Sequence, residues 1–80
     1  MKAIEITSRA TSQLAKLAPA ERKAIIAKLS RYAETAAGDV TRLQGRPEFR
    51  LRQGDYRVLF QETETKITVV EVGHRSDIYK

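Results

Sequence analysis

The chain reads as a single α+β domain spanning residues 1–80, of order βααβββ, with a helical hairpin packed on a small, mainly antiparallel sheet. Three observations predict this. Residues 49–60 alternate in character around Gln53-Gly54, as a tight β-hairpin does. Two helical stripes meet at an Ala18-Pro19 corner. The β-branched run Ile67, Val69, Val70 and Val72 marks a closing strand.

Taken in order, Lys2–Thr7 is a first strand, with Ile4 and Ile6 on one face. Thr7 or Ser8 caps a short helix whose apolar residues Ala10, Leu14 and Leu17 recur at helical spacing. Pro19 restarts a helix, since proline already has the first-turn φ and its missing N–H is not needed there. Ile25, Leu29, Tyr32 and Ala36, widened by Ile26 and Ala33, form its buried stripe to about Ala37, and Gly38 stops it. Lys16, Arg22, Lys23, Lys28 and Arg31 fall on the solvated side. Asp39–Pro47 is irregular and reads as a loop that tucks Leu43 into the core. After a polar turn over 62–66, the adjacent Val69 and Val70 break strict alternation, which fits a central strand covered on both faces.

A loop of Gln53-Gly54 sets Leu51 against Tyr56 and Phe49 against Val58 on one apolar face. The same register sets Arg50 opposite Arg57 and Arg52 opposite Asp55 on the other. Like charges directly opposite one another destabilise a ladder by ~0.2–1 kcal/mol, a sign that an intervening anion reverses. The arginine face is therefore expected to hold a polyanion, with nucleic-acid phosphate the leading candidate.

The composition agrees. A formal charge of +5 suits a phosphate-rich partner, although charge alone says nothing about fold. Cysteine is absent, so disulfides and thiolate metal sites are excluded. One histidine and dispersed carboxylates offer no metal-ligand spacing, so neither metal nor cofactor is expected. Gln44-Gly45-Arg46-Pro47 is not a phosphate-binding glycine loop, and His74 has no hydroxyl-nucleophile constellation beyond Ser76-Asp77 beside it. No run approaches the length of a membrane span, and no signal-peptide core opens the chain, so a cytoplasmic protein is expected.

Arg57 is the sharpest candidate. A mid-strand arginine needs an anion or open solvent, and its planar fork matches phosphate oxygens. The plain structural alternative pairs it with Glu48 or Asp55. Arg50 and Arg52 share the argument, and Arg42 and Arg46 extend the basic surface. His74, Arg75 and Tyr79 share one short segment and can handle protons or contact phosphate and bases, although a lone histidine at a strand end is more often structural.

Gly45-Arg46-Pro47, the run Phe49–Phe60 with Gly54-Asp55-Tyr56-Arg57-Val58, and Val72-Gly73-His74-Arg75 followed by Tyr79 resemble the RelE branch of the RelE/ParE toxin superfamily. The resemblance spans essentially the whole chain. It implies a type II toxin that enters the ribosomal A site and cuts mRNA there, held in check by a cognate antitoxin. Cleavage in that family is metal-free: the substrate's own 2′-hydroxyl attacks the adjacent phosphate, which restricts the reaction to RNA. By resemblance Arg57 stabilises the charge building on phosphorus, Arg50 and Arg75 are further catalytic cations, Tyr79 stacks on a base or handles a proton, and His74 shares the acid–base work. Arg46 and Arg52 are expected to bind RNA phosphate. Glu48 stands where some relatives carry a lysine. That departure keeps two alternatives open: a ParE-like toxin that inhibits DNA gyrase by binding, and an inactive antitoxin-binding relative.

Overall fold

The computed structural model describes residues 1–78. Strand β1 (Ala3–Ile6) ends at Thr7, whose hydroxyl accepts from the Ala10 amide at 3.2 Å and so caps helix α1 (Ser8–Ala15). Pro19 occupies the first turn of α2 (Pro19–Thr35), as its fixed φ favours. The helix ends earlier than Gly38: Ala36 takes the left-handed cap at φ 59°, donating its N–H to the Tyr32 carbonyl. Ile25, Leu29 and Ala33 are buried, whereas Ile26, expected to widen that stripe, is on the exposed flank.

The chain then forms β2 (Val40–Arg42), β3 (Phe49–Gln53), β4 (Tyr56–Glu62) and β5 (Lys66–His74). The fold class is as expected, with one strand more: β2 falls inside the stretch read as a loop. It has three residues and no alternation of its own, and it exists because Val40 and Arg42 pair with Leu51 and Phe49 of β3. Leu43, just beyond it, is half-buried and outside the main core. The sheet order is β1-β5-β4-β3-β2, with β1 parallel to β5 and the other pairs antiparallel.

The hairpin register differs from the expected one. The loop residues are Gly54 and Asp55, so Phe49 faces Phe60, Leu51 faces Val58, Arg52 faces Arg57 and Gln53 faces Tyr56. Gly54 has φ 57° while Asp55 keeps an ordinary negative φ. A glycine with positive φ at the first loop position is the II′ arrangement, whose twist matches the flanking strands. Arg50 consequently sits opposite Leu59 rather than Arg57.

Strand β5 is central, as expected, but the Val69-Val70 pair has a different cause. Leu59 pairs with Glu71 and Phe60 with Val69, which leaves Val70 as the extra residue of a β-bulge. Past Ile6, strand β1 no longer covers the β5 edge. There the side chain of Gln13 on α1 accepts from the Val72 N–H at 2.7 Å.

One core joins the layers: Ala10, Leu14, Ile25, Leu29 and Ala33 from the helices meet Leu51, Val58, Phe60, Ile67, Val69 and Val72 from the sheet. Phe60 is fully buried, with the rings of Tyr32 and Phe49 at 5.5 and 5.7 Å. At the far end of the sheet, Glu62 accepts from Lys2 at 2.6 Å and from the Tyr32 hydroxyl at 2.8 Å. Burial pushes the Glu62 carboxyl up, but the Lys2 and Tyr32 hydrogen bonds outweigh it and hold the group below its usual range. Burial and the neighbouring Glu62 carboxylate push the Tyr32 phenol up to about 12.

Two stability measurements check this framework. Gln13→Leu strands the Val72 N–H and is expected to cost about 1–3 kcal/mol, read as a lower urea midpoint. The Glu62 contribution is complete above the ordinary carboxylate range and is lost as pH falls through its depressed value; that of Tyr32 is complete below ~10 and is lost as pH rises toward 12. Urea midpoints across pH should fall at both ends, with Glu62→Gln flattening the acid limb and Tyr32→Phe the alkaline one.

Candidate nucleic-acid interface

The alternation that turns Leu51, Val58 and Phe60 toward the helices turns Arg50, Arg52 and Arg57 to the opposite, outer face. The chain after β5 folds back over that face, bringing Ile78 to within 3.6–3.8 Å of where a side chain on Gly73 would stand. Leu59, also on the outer face, is only 1% exposed. The apolar part of this face is sealed, and the cations concentrate toward the hairpin turn.

At that end Lys28, Arg52, Arg57 and Arg75 border an open hollow of ≈ 390 Å³, together with Asp39, Gly54 and Asp55. The volume is in the range of small-ligand sites, and four cations face two carboxylates. Arg52 and Arg57 are the directly opposed like charges, in place of the expected Arg50–Arg57 pair.

Two of the three arginines are held alike, and the third differently. Arg52 pairs through Nε with Asp39 Oδ2 at 2.8 Å, and its backbone N–H donates to the Asp39 carbonyl at 3.0 Å. Arg75 repeats the pattern on Asp55, with Nε at 3.5 Å from Oδ1 and a backbone hydrogen bond of 2.8 Å. Arg57 donates through Nη1 to the Gly54 and Tyr56 carbonyls at 2.8 and 2.9 Å. Among the described residues it has no carboxylate partner. Both carboxylates proposed for it are engaged elsewhere. Asp55 goes to Arg75, while Glu48, only 8% exposed, accepts from Arg46 Nε at 2.9 Å and from Gln61 at 3.4 Å.

The remaining candidates divide. Arg50 shares the outer face with Arg52 and Arg57 but lies outside the hollow, between Leu59 and Thr41 on the neighbouring strands. Arg46 is also outside it, tied to Glu48. His74 faces away. It stands opposite Tyr56 on the helix-facing side, the rings meeting edge-on at 5.7 Å. Its Nδ1 accepts from the Ser76 N–H at 3.1 Å, which assigns the ring proton of the neutral form to Nε2. His74 and Arg75 are thus split between two sides: β5 ends at His74, and Arg75 opens a turn that the Asp77 and Ile78 amides close on the His74 carbonyl. Tyr79 lies outside the described residues.

Two residues of the hollow escape sequence reasoning. Lys28 reads as part of a solvated helix face, yet its ammonium reaches the Arg52 carbonyl at 3.2 Å. Asp39 reads as loop. The only local signal is that Asp39 and Asp55 each follow a glycine.

The comparisons agree with this architecture. A family model described as "ParE toxin of type II toxin-antitoxin system, parDE" matches residues 4–79. No curated protein matches. Among solved structures, the chain is similar to the archaeal RelE–RelB complex from Pyrococcus horikoshii, at 20% identity and a TM-score of 0.80, covering 95% of this chain and 97% of that one. The isolated RelE toxin of E. coli matches at 23% identity and a TM-score of 0.80, covering 99% and 92%. The toxin–antitoxin complex RelBE2 of Mycobacterium tuberculosis matches at 28% identity and a TM-score of 0.72, covering 92% and 98%. The fold is therefore that of the RelE toxins. With the family model running through both helices and all five strands, the chain belongs to the ParE toxin family of type II toxin–antitoxin systems, within the RelE/ParE superfamily.

Proposed function

We propose that this toxin is a ribosome-dependent mRNA endonuclease of the RelE kind. The observation that carries the reading is Arg57: a half-buried guanidinium at the second residue of β4, with no carboxylate partner among the described residues, in a hollow that Arg52, Arg75 and Lys28 also border. Such a group is suited to charge that appears only during reaction. In the proposed step the substrate 2′-oxygen forms a bond to the adjacent phosphorus and loses its proton. The bond to the 5′-oxygen breaks, and that oxygen takes up a proton, leaving a 2′,3′-cyclic phosphate and a 5′-hydroxyl. Arg57 and Arg75 offset the charge on the phosphoryl oxygens, and Arg52 grips a neighbouring phosphate. Arg50 holds the strand further along the outer face. Tyr79 keeps the base-stacking or proton-handling role that the resemblance implies. His74, turned to the other side, acts only if the substrate wraps the strand end.

The same reading assigns a partner and a compartment. Solved relatives include RelB–RelE complexes, and a basic outer face favours an acidic or amphipathic antitoxin segment laid over it. Action at the ribosome places the protein in the cytoplasm, and among the described residues no helix is long and apolar enough to cross a membrane.

Two features favour a second reading, gyrase inhibition by binding alone. His74 is withdrawn from the hollow, and Glu48 neutralises Arg46. Primer extension on mRNA after induction separates the two. Cuts within codons, lost in Arg57→Ala while the protein still folds, are expected for the nuclease, with a rate loss of about 10²–10³-fold. Intact mRNA and ongoing translation with DNA-damage signalling would establish the binding mode instead. The antitoxin is expected to co-purify as a small acidic protein in a salt-sensitive complex. A complex unaffected by neutralising Arg50 and Arg57 would put the antitoxin elsewhere on the surface.

A further inference from the structure

The hollow contains its own counter-ions in a repeated arrangement. Gly38-Asp39 and Gly54-Asp55 each place an aspartate whose backbone carbonyl accepts from an arginine N–H and whose carboxylate pairs with the same arginine's Nε. The first couple takes Arg52 and the second takes Arg75, whereas Arg57 has neither. The backbone half of each couple fixes where the arginine leaves the chain. The carboxylate half is exposed, at 58% and 48% of the side chain for Arg52 and Asp39 and at 63% and 68% for Arg75 and Asp55. Ion pairs this exposed are weak, so an incoming phosphate dianion or diester can replace them.

We infer that Asp39 and Asp55 are displaceable internal counter-ions that occupy Arg52 and Arg75 until RNA phosphate takes their place. They act as specificity-determining residues that lower the hollow's affinity for polyanions in general. A phosphate that reaches only Arg57 gains one guanidinium. A strand with correctly spaced phosphates gains three, after displacing both carboxylates. The inference rests on reading the hollow as a phosphate site. The opposite possibility, that the aspartates hold the arginines in place for phosphate, predicts the reverse sign: their removal would weaken binding.

The test measures binding of a short 2′-O-methyl single-stranded RNA, which cannot undergo 2′-hydroxyl attack, by fluorescence anisotropy across a salt series. Asp39→Asn and Asp55→Asn are each expected to tighten binding by ~3-fold, the scale of an exposed ion pair. The double variant should tighten it by about 10-fold, with the slope of log K against log salt steeper by ~0.7 for each guanidinium released. Unchanged or weaker binding by folded variants would overturn the inference, as would no binding by any form.

A measurement on the unaltered protein guards against variants that fail to fold. On titration with the same 2′-O-methyl RNA, the ¹⁵Nε signals of Arg52 and Arg75 should shift together with that of Arg57. A shift of Arg57 alone would overturn the inference. If mRNA cleavage fails while the asparagine variants still bind RNA more tightly, the nuclease reading falls and the counter-ion inference stands.

Discussion

The layout of this molecule hangs on the register of the β3–β4 hairpin, whose turn is Gly54-Asp55 with Gly54 at positive φ. With the turn there, a strand period of two assigns every residue of β3 and β4 to a face. From that register follow the burial of Leu51, Val58 and Phe60 beneath the helices and the outward aim of Arg50, Arg52 and Arg57. It also puts Asp55 at the turn itself, where its carbonyl and carboxylate both meet Arg75 from the end of β5. A loop shifted by one residue would put Asp55 in the ladder and remove it from Arg75.

A sheet of five strands on two helices leaves polar groups at its seams, and here they are met by single side chains. Strand β1 stops at Ile6, so Gln13 takes over for the next stretch of the β5 edge. Where α2 ends over the sheet, Glu62 collects Lys2 from one edge and Tyr32 from the helix. No buried side-chain nitrogen or oxygen is left without a hydrogen bond among the described residues. This separation of labour keeps the seams away from the hairpin end, where exposed charges gather at little cost to the core.

The outer face divides likewise. Ile78 lies over Gly73 on its apolar part, where Leu59 is also buried, and the cations lie beyond, around the hairpin turn. The hollow at the turn draws on residues from α2, the α2–β2 connection, both hairpin strands and the chain after β5. These segments are far apart in sequence. Their charges are set against one another only because the register holds the hairpin in place.

The one-dimensional pattern sufficed for the helical hairpin, the first and last strands, the proline start of α2 and the existence of a hairpin at Phe49–Phe60, since each rests on local periodicity or on one residue's backbone preference. It also singled out Arg57 and Arg75, through their strand and strand-end positions. Strand β2 was beyond its reach, because three residues without alternation become a strand only when Leu51 and Phe49 are there to pair with them. So was the choice between two turn placements one residue apart, which local composition supports equally and packing of Phe49 on Phe60 separates. Lys28 and Asp39 line the hollow, and His74 lies outside it, for the same reason: a side chain's neighbours across the fold are decided by docking of whole elements, and that geometry has no counterpart in the spacing of residues along the chain.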